Sequence, residues 1–503
     1  MFQRFCTLAI PVLAGVGAAS GLAQTPSETF LRGATIVDGT GAPAFAGDVL
    51  IMNGTIAALG PSGTLAAPAG ATIEDLEGLV LAPGFIDIHN HSTDRLATDP
   101  TARTQIAQGV TTIVVGADGS SPWPLATYLD QLDAIGLTIQ VGTLVGHGTV
   151  RRAAMGEDYA RPANAAEIAD MKRRVERGMR EGAFGLSSGL EYDPGFYSET
   201  DELVELARVA AQYGGLYMSH IRDEEEGVLE AVAEAIRIGS AARIAVQISH
   251  VKAGNASVWG KSVDILALVA AARARGIDVL ADQYPYTAWQ SGLGIVVSSR
   301  EFQDPAEVQA ALQAIGGGNR LQIVGYEEDP SVNGMRLDEV AALWQLSEVE
   351  TYMRMMANGG SGVIGHTMSD DDVERFMASE FVMTASDGGI GSAHPRGAGA
   401  FARVLGHYVR ERGVISLERA VQRGTSMPAA RLGLTDRGVI EVGRRADLVA
   451  FDAATIEARS TFRYSLRQAA GVRRTWVEGV VVWADGEATD ARPGGSLRRT
   501  SIR

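Results

Sequence analysis

The stretch "LAPGFIDIHNHSTD", Leu81–Asp94, places His89 and His91 two residues apart at the end of an apolar run. A strand has a side-chain period of two, so both imidazoles leave the same face of its last residues. Two nitrogens on one face suit a single metal ion. A polar loop whose histidines only form hydrogen bonds has the same local pattern. The choice depends on the rest of the chain, which holds eight histidines in all.

Downstream, apolar strands alternate with amphipathic helices. The strand segments are "GFIDIHNH", "TTIVVGADG", "IQVGTLVGHGT", "AFGLSSGLEY", "LYMSHIRDE", "IAVQISHVK", "IDVLADQYPY" and "FVMTASDGG". Helical patterns such as "NAAEIADMKRRVERGMREG", with Asn164 as its cap, separate them. Eight such units imply an α/β fold of the (β/α)8 TIM-barrel type, with functional residues at the C-terminal ends of the strands. A doubly wound open sheet is the alternative, but no glycine-rich dinucleotide fingerprint follows the first strand.

Both ends of the chain read differently. "FLRGATIVDG" and "AGDVLIMNGTIAALG" near the start, and "GVIEVGRRADLVAFDA" and "VRRTWVEGVVVWADGEATD" near the end, are short alternating strands punctuated by tight turns. They predict a small β-sandwich domain built from both chain ends, residues 24–83 and 436–503, flanking a barrel at 84–435. The spacing between the seventh and eighth strands, about residues 288–380, exceeds one helix and predicts an insertion over the barrel mouth. Residues 1–23 have Arg4 before an apolar run and then "GLA", the layout of a signal peptide cleaved near Ala23. This leads us to expect a periplasmic or secreted protein with no membrane association after cleavage.

Acidic residues outnumber basic ones, 60 against 44, with no long basic block, which argues against a nucleic-acid partner. Cys6, the only cysteine, lies within the expected signal peptide. Neither disulfides nor thiolate metal sites are then expected in the mature protein.

Five histidines fall at strand ends: His89 and His91 after the first, His147 after the third, His220 after the fifth and His250 after the sixth. Convergence on one barrel mouth makes a metal site the economical reading of the opening stretch. Asp387, in "TASDGG" after the eighth strand, is placed to take a proton from an attacking water and return it to a leaving amine. An aspartate capping the next segment would look the same locally.

The runs "LEGLVLAPGFID", "GFIDIHNHSTD", "VGHGTVR", "GAFGLSSGLEYDPG", "SHIRDE", "ISHVK", "DQYPYTA", "SDGG…HPRGAGAFARVLGHYV" and "GVIEVGRRADLVAFD" occur in order, within a likeness that extends from about Phe30 to beyond Asp452. In these the chain resembles the amidohydrolase superfamily, specifically its zinc D-aminoacylase (N-acyl-D-amino-acid deacylase) family. The resemblance implies a tight zinc held by His220 and His250, with His89 and His91 forming a second, weaker metal position. Where the family carries a cysteine after the second strand, this chain has "GADG", which puts Asp118 in the ligand position. A carboxylate is a harder ligand that binds zinc and can bridge two ions. The resemblance also points to Lys252, Tyr284 and Arg396 as the groups that grip the substrate carboxylate. Arg222, Tyr192 and Trp289 are further residues expected near the mouth.

The reading is a metal-dependent amidohydrolase that cleaves N-acyl-D-amino acids, acting as a monomer or small homo-oligomer on a small-molecule substrate. Rivals are a related hydrolase of dipeptides, cyclic amides or a xenobiotic amide, and a periplasmic protein that only binds such ligands. Dihydropyrimidinase-like relatives use a carboxylated lysine, and "AFGLSSGL" offers none in the fourth strand.

Overall fold

The computed structural model describes residues 28–499; the expected signal peptide lies outside them. Eight parallel strands carry the fold: Phe85–Asp87, Val110–Val115, Gln140–Thr143 continued by Val145–Gly146, Gly185–Gly189, Leu216–His220, Ala245–Ile248, Val279–Gln283 and Val382–Thr384. Each pairs with the next in parallel. A parallel bridge between Asn90 and Gly388 joins the last strand to the first, with Asp387 N donating to His89 O at 3.0 Å. The circuit is therefore closed, as the alternation of strands and helices predicts.

Ile86, Val114, Leu144, Phe184, Met218 and Met383 share one buried cluster inside the ring. Outside it, helices bury their apolar stripes against the strands. Ala165–Arg180 begins with a capping box, in which Asn164 accepts from the amide of Glu167 and Glu167 accepts from that of Asn164. Its Met171, Val175 and Met179 then enter the outer core at the one-turn spacing that an amphipathic helix requires. Among the described residues no helix is long and apolar enough to cross a membrane.

Strands from the two chain ends hydrogen-bond into a single nine-stranded sheet, with Leu448–Phe451 lying antiparallel to Val80–Pro83. Leu31, Val49 and Ile56 from the start share a core with Leu448 and Trp476 from the end. Asn53 and Gly54 both have positive φ, as the two-residue hairpin between Phe45–Met52 and Thr55–Pro61 requires. Between the seventh and eighth barrel strands, Trp289–Gly292, Leu321–Val324 and Gly362–Gly365 form an antiparallel sheet. Helices pack on it around Val308, Leu337 and Tyr352.

Gly185 marks a close approach of two barrel strands. A Cβ there would fall 2.1 Å from the Leu216 carbonyl oxygen, a backbone atom with no room to move. Gly185→Ala is expected to destabilise the barrel by about 1–3 kcal/mol, read as a lower denaturant midpoint in circular dichroism. An unchanged midpoint would contradict the packing described.

Candidate metal centre and substrate cavity

The sequence turns each strand end inward by a local device. Asp87, at the end of the first strand, accepts from Asn90 Nδ2 and from Ser386 N, both at 2.8 Å. These bonds fix the His-Asn-His turn and tie it to the loop carrying Asp387. Asp118, His250 and Asp387 have φ of 52°, 33° and 46°, the left-handed region that side chains other than glycine seldom adopt. Strained backbone at three residues of one cluster is the pattern found at functional sites. Gly189 lets the fourth strand close over Asp118, since a Cβ there would lie 2.3 Å from the Asp118 carbonyl oxygen.

These devices bring the ligand atoms together. His89 Nε2 is 3.2 Å from His91 Nε2 and 3.3 Å from Asp118 Oδ2, and His91 Nε2 is 3.1 Å from Asp387 Oδ1. His220 Nδ1 lies 2.9 Å from His250 Nε2, which is 3.5 Å from Asp118 Oδ2. Three donor groups result: His89, His91, Asp118 and Asp387; Asp118, His220 and His250; and Glu191, His220 and Glu224, with Asp118 common to the first two and His220 to the last two. Asp118 Oδ1 is buried without a hydrogen-bond partner among the described residues. Imidazole nitrogens and carboxylate oxygens with facing lone pairs are the donor set that zinc takes.

Each of the three buried histidines of the cluster also has a carboxylate behind it. His89 Nδ1 faces Asp282 at 3.3 Å, His220 Nε2 faces Glu191 at 2.8 Å, and His250 Nδ1 faces Glu224 at 3.0 Å. Such partners orient ligand rings and raise their basicity. None was singled out from the sequence. Asp282, Glu224 and Glu191 do stand in the quoted "DQYPYTA", "SHIRDE" and "GAFGLSSGLEYDPG" runs.

Burial pushes the Asp118 carboxyl up, but His89 and His250 outweigh it and hold it well below the ordinary carboxylate range. Asp387 behaves alike: against burial, Arg396, His250 and His89 keep it ionised. Glu225, a neighbour in the cavity wall, goes the other way, pushed up to about 8 by burial and by Glu191, Glu226, Asp223 and Glu224.

A cavity of about 1070 Å³ opens over the cluster, its wall including His91, His220, Lys252, Asp387 and Arg396. Tyr192 and Trp289 line it too, the latter from the insertion. Both cations already have acidic partners: Lys252 Nζ is 2.6 Å from each Glu224 oxygen, and Arg396 Nη1 is 2.6 Å from Asp387 Oδ2. Tyr284 does not line the cavity. It lies beneath Arg396, whose guanidinium carbon is 4.6 Å from the ring centroid.

Two residues expected near the mouth belong elsewhere. His147 opens a helix, where its Nε2 meets Glu202 at 2.8 Å and Arg151 takes the other Glu202 oxygen. The third strand ends before it, so the ring turns outward between helices. Arg222 pairs with Glu234 at 2.9 Å and donates to the Phe196 carbonyl.

Removal of the shared carboxylate tests the centre. Asp118→Ala is expected to lose its zinc on dialysis, whereas His91→Ala keeps one ion; metal analysis of the folded proteins reads both. Equal zinc in Asp118→Ala and the unaltered protein would contradict the bridging position.

Known proteins are similar to this chain in sequence and in fold. Residues 72–483 match the model of an amidohydrolase family. D-aminoacylase of Alcaligenes xylosoxydans xylosoxydans is 36% identical over 501 residues, covering 95% of this chain and 98% of the relative. N-acyl-D-glutamate deacylase of the same organism is 36% identical over 500 residues, covering 95% and 97%. The crystal structure of N-acyl-D-glutamate deacylase from Bordetella bronchiseptica, complexed with zinc and a phosphonate mimic of the tetrahedral intermediate, superposes with a TM-score of 0.85. It is 34% identical, covering 93% of this chain and 99% of that one. The chain belongs to the amidohydrolase family and, within it, to the D-aminoacylases.

Proposed function

We propose that this protein is a zinc-dependent N-acyl-D-amino-acid deacylase, which hydrolyses the amide to a carboxylate and a free D-amino acid. The observation that carries the reading is the convergence of Asp118, Asp387 and four histidines at one barrel mouth, with Lys252 and Arg396 on the same cavity wall. The D configuration and the acylated amino acid rest on the relatives named above.

Asp118, His220 and His250 would hold the principal ion, and His89 and His91 a second, with Asp118 between them. When bound, zinc polarises the scissile carbonyl and lowers the pKa of a coordinated water. Asp387 takes a proton from the attacking water as its oxygen adds to the amide carbon. As the carbon–nitrogen bond breaks, the same carboxyl returns that proton to the departing nitrogen. Lys252 and Arg396 hold the substrate carboxylate, which fixes the amide over the metal centre. Engaging Arg396 draws its charge away from Asp387, so substrate binding makes the carboxylate a better base. Tyr284 supports the guanidinium from below.

The test is amine release by the purified protein from paired N-acetyl-D- and N-acetyl-L-amino acids, with zinc and with a chelator. Release from D substrates alone, lost with chelator, is expected; equal release from both series would contradict the stereochemical assignment. Asp387→Asn should lower turnover by about 10²-fold or more with zinc content unchanged. An active Asp387→Asn would remove it from this role. We also propose export through residues 1–23, which predicts a periplasmic or secreted protein whose N-terminal sequence begins near Gln24.

A further inference from the structure

His250 stands between two demands on one imidazole. Its Nε2 faces His220 Nδ1 and Asp118, on the side where the ligand atoms converge. Its Nδ1 lies 2.8 Å from Lys252 Nζ and 3.0 Å from Glu224 Oε1. A neutral imidazole has one N–H and one lone pair. With the proton on Nδ1, the ring donates to Glu224 and offers its Nε2 lone pair to zinc. With Nδ1 accepting from Lys252, the proton sits on Nε2 and that nitrogen cannot ligate. An ammonium only donates, so Lys252 and the metal require opposite tautomers.

Glu224 has the geometry to decide between them. Both its oxygens lie 2.6 Å from Lys252 Nζ and take up that group's protons, while Oε1 is also within reach of the Nδ1–H. The residue is 8% exposed, and its carbonyl accepts from Gly254 N at 2.7 Å, which fixes the loop on which it stands. Both oxygens are placed as acceptors of the Lys252 ammonium. With Glu191 and His220, Glu224 also forms a group of possible metal donors, but both of its oxygens lie 2.6 Å from Lys252 Nζ and are engaged by that ammonium.

We propose that Glu224 is a positioning residue that fixes the zinc-binding tautomer of His250, accepting its Nδ1–H and drawing the protons of Lys252 away from that nitrogen. The inference rests on the zinc reading above. It also ties substrate to metal: a substrate carboxylate that recruits Lys252 leaves Glu224 more fully to His250, so the ligating tautomer is firmest when substrate is bound.

The test measures zinc affinity directly, by titrating metal-stripped protein with zinc against a chelator of known affinity, with circular dichroism to establish folding. Glu224→Ala should weaken zinc binding about 10- to 100-fold, the range for loss of a carboxylate behind a metal-bound histidine. Lys252→Met alone should leave zinc affinity within about threefold of the unaltered protein. In Glu224→Ala with Lys252→Met the competing donor is gone, and most of the lost affinity should return. Glu224→Gln keeps the volume but offers one acceptor oxygen instead of two; it should weaken zinc in the same direction and serves if Glu224→Ala does not fold. Unchanged affinity in the Glu224 variants, or a double variant as weak as Glu224→Ala, would overturn the proposal. An unaltered protein that binds no zinc would overturn the functional reading first, and this inference with it.

Discussion

Four imidazoles and two carboxylates point their lone pairs at one another across 2.9–3.5 Å at the mouth of the barrel. Lone pairs so arranged repel unless a cation lies among them or protons are shared between them, and the rest of the molecule serves to hold them there. The closed ring of strands brings the first and eighth loops into contact. Asp87 locks those two loops together, and left-handed backbone at Asp118, His250 and Asp387 aims the side chains inward. Asp118 is the pivot, because it alone joins the His89 and His91 group to the His220 and His250 group. Asp118 turns one oxygen, Oδ2, to His89, His91 and His250 alike, and holds Oδ1 buried without a hydrogen-bond partner among the described residues.

Charge at the site is arranged in pairs that join binding to chemistry. Lys252 is held by Glu224, which also backs His250, and Arg396 is held by Asp387. On the proposed function, a substrate carboxylate entering the cavity would compete with both internal acids at once. Its arrival would change the surroundings of a metal-facing histidine and of Asp387 together. Such competition would favour ligands that carry a free carboxylate beside the scissile amide, a stricter requirement than a cavity of this size would impose by shape alone.

Much of this was legible in the sequence. Period-two spacing placed His89 and His91 on one face, and the alternation of strand and helix predicted the ring that gathers His220, His250 and Asp387 beside them. His147 was misplaced for a definable reason: it follows a strand in sequence, but the strand stops one residue earlier and a helix begins at the histidine itself. Glu191, Glu224 and Asp282 escaped notice because a carboxylate in a polar loop or strand end has no periodic signature. Their roles exist only once separate strand ends are packed side by side. Tyr284 was placed in the correct neighbourhood by its motif, yet whether its ring meets substrate or supports a guanidinium depends on the rotation of one strand end.

Anomalous diffraction from crystals of the zinc-loaded protein would decide whether this centre is what its geometry says. A peak in contact with Asp118, His220 and His250, with a second and weaker one beside His89 and His91, is the expected result. A peak bound elsewhere, or an ion at the histidines with Asp118 turned away, would contradict the account of Asp118 as the ligand on which the site is built.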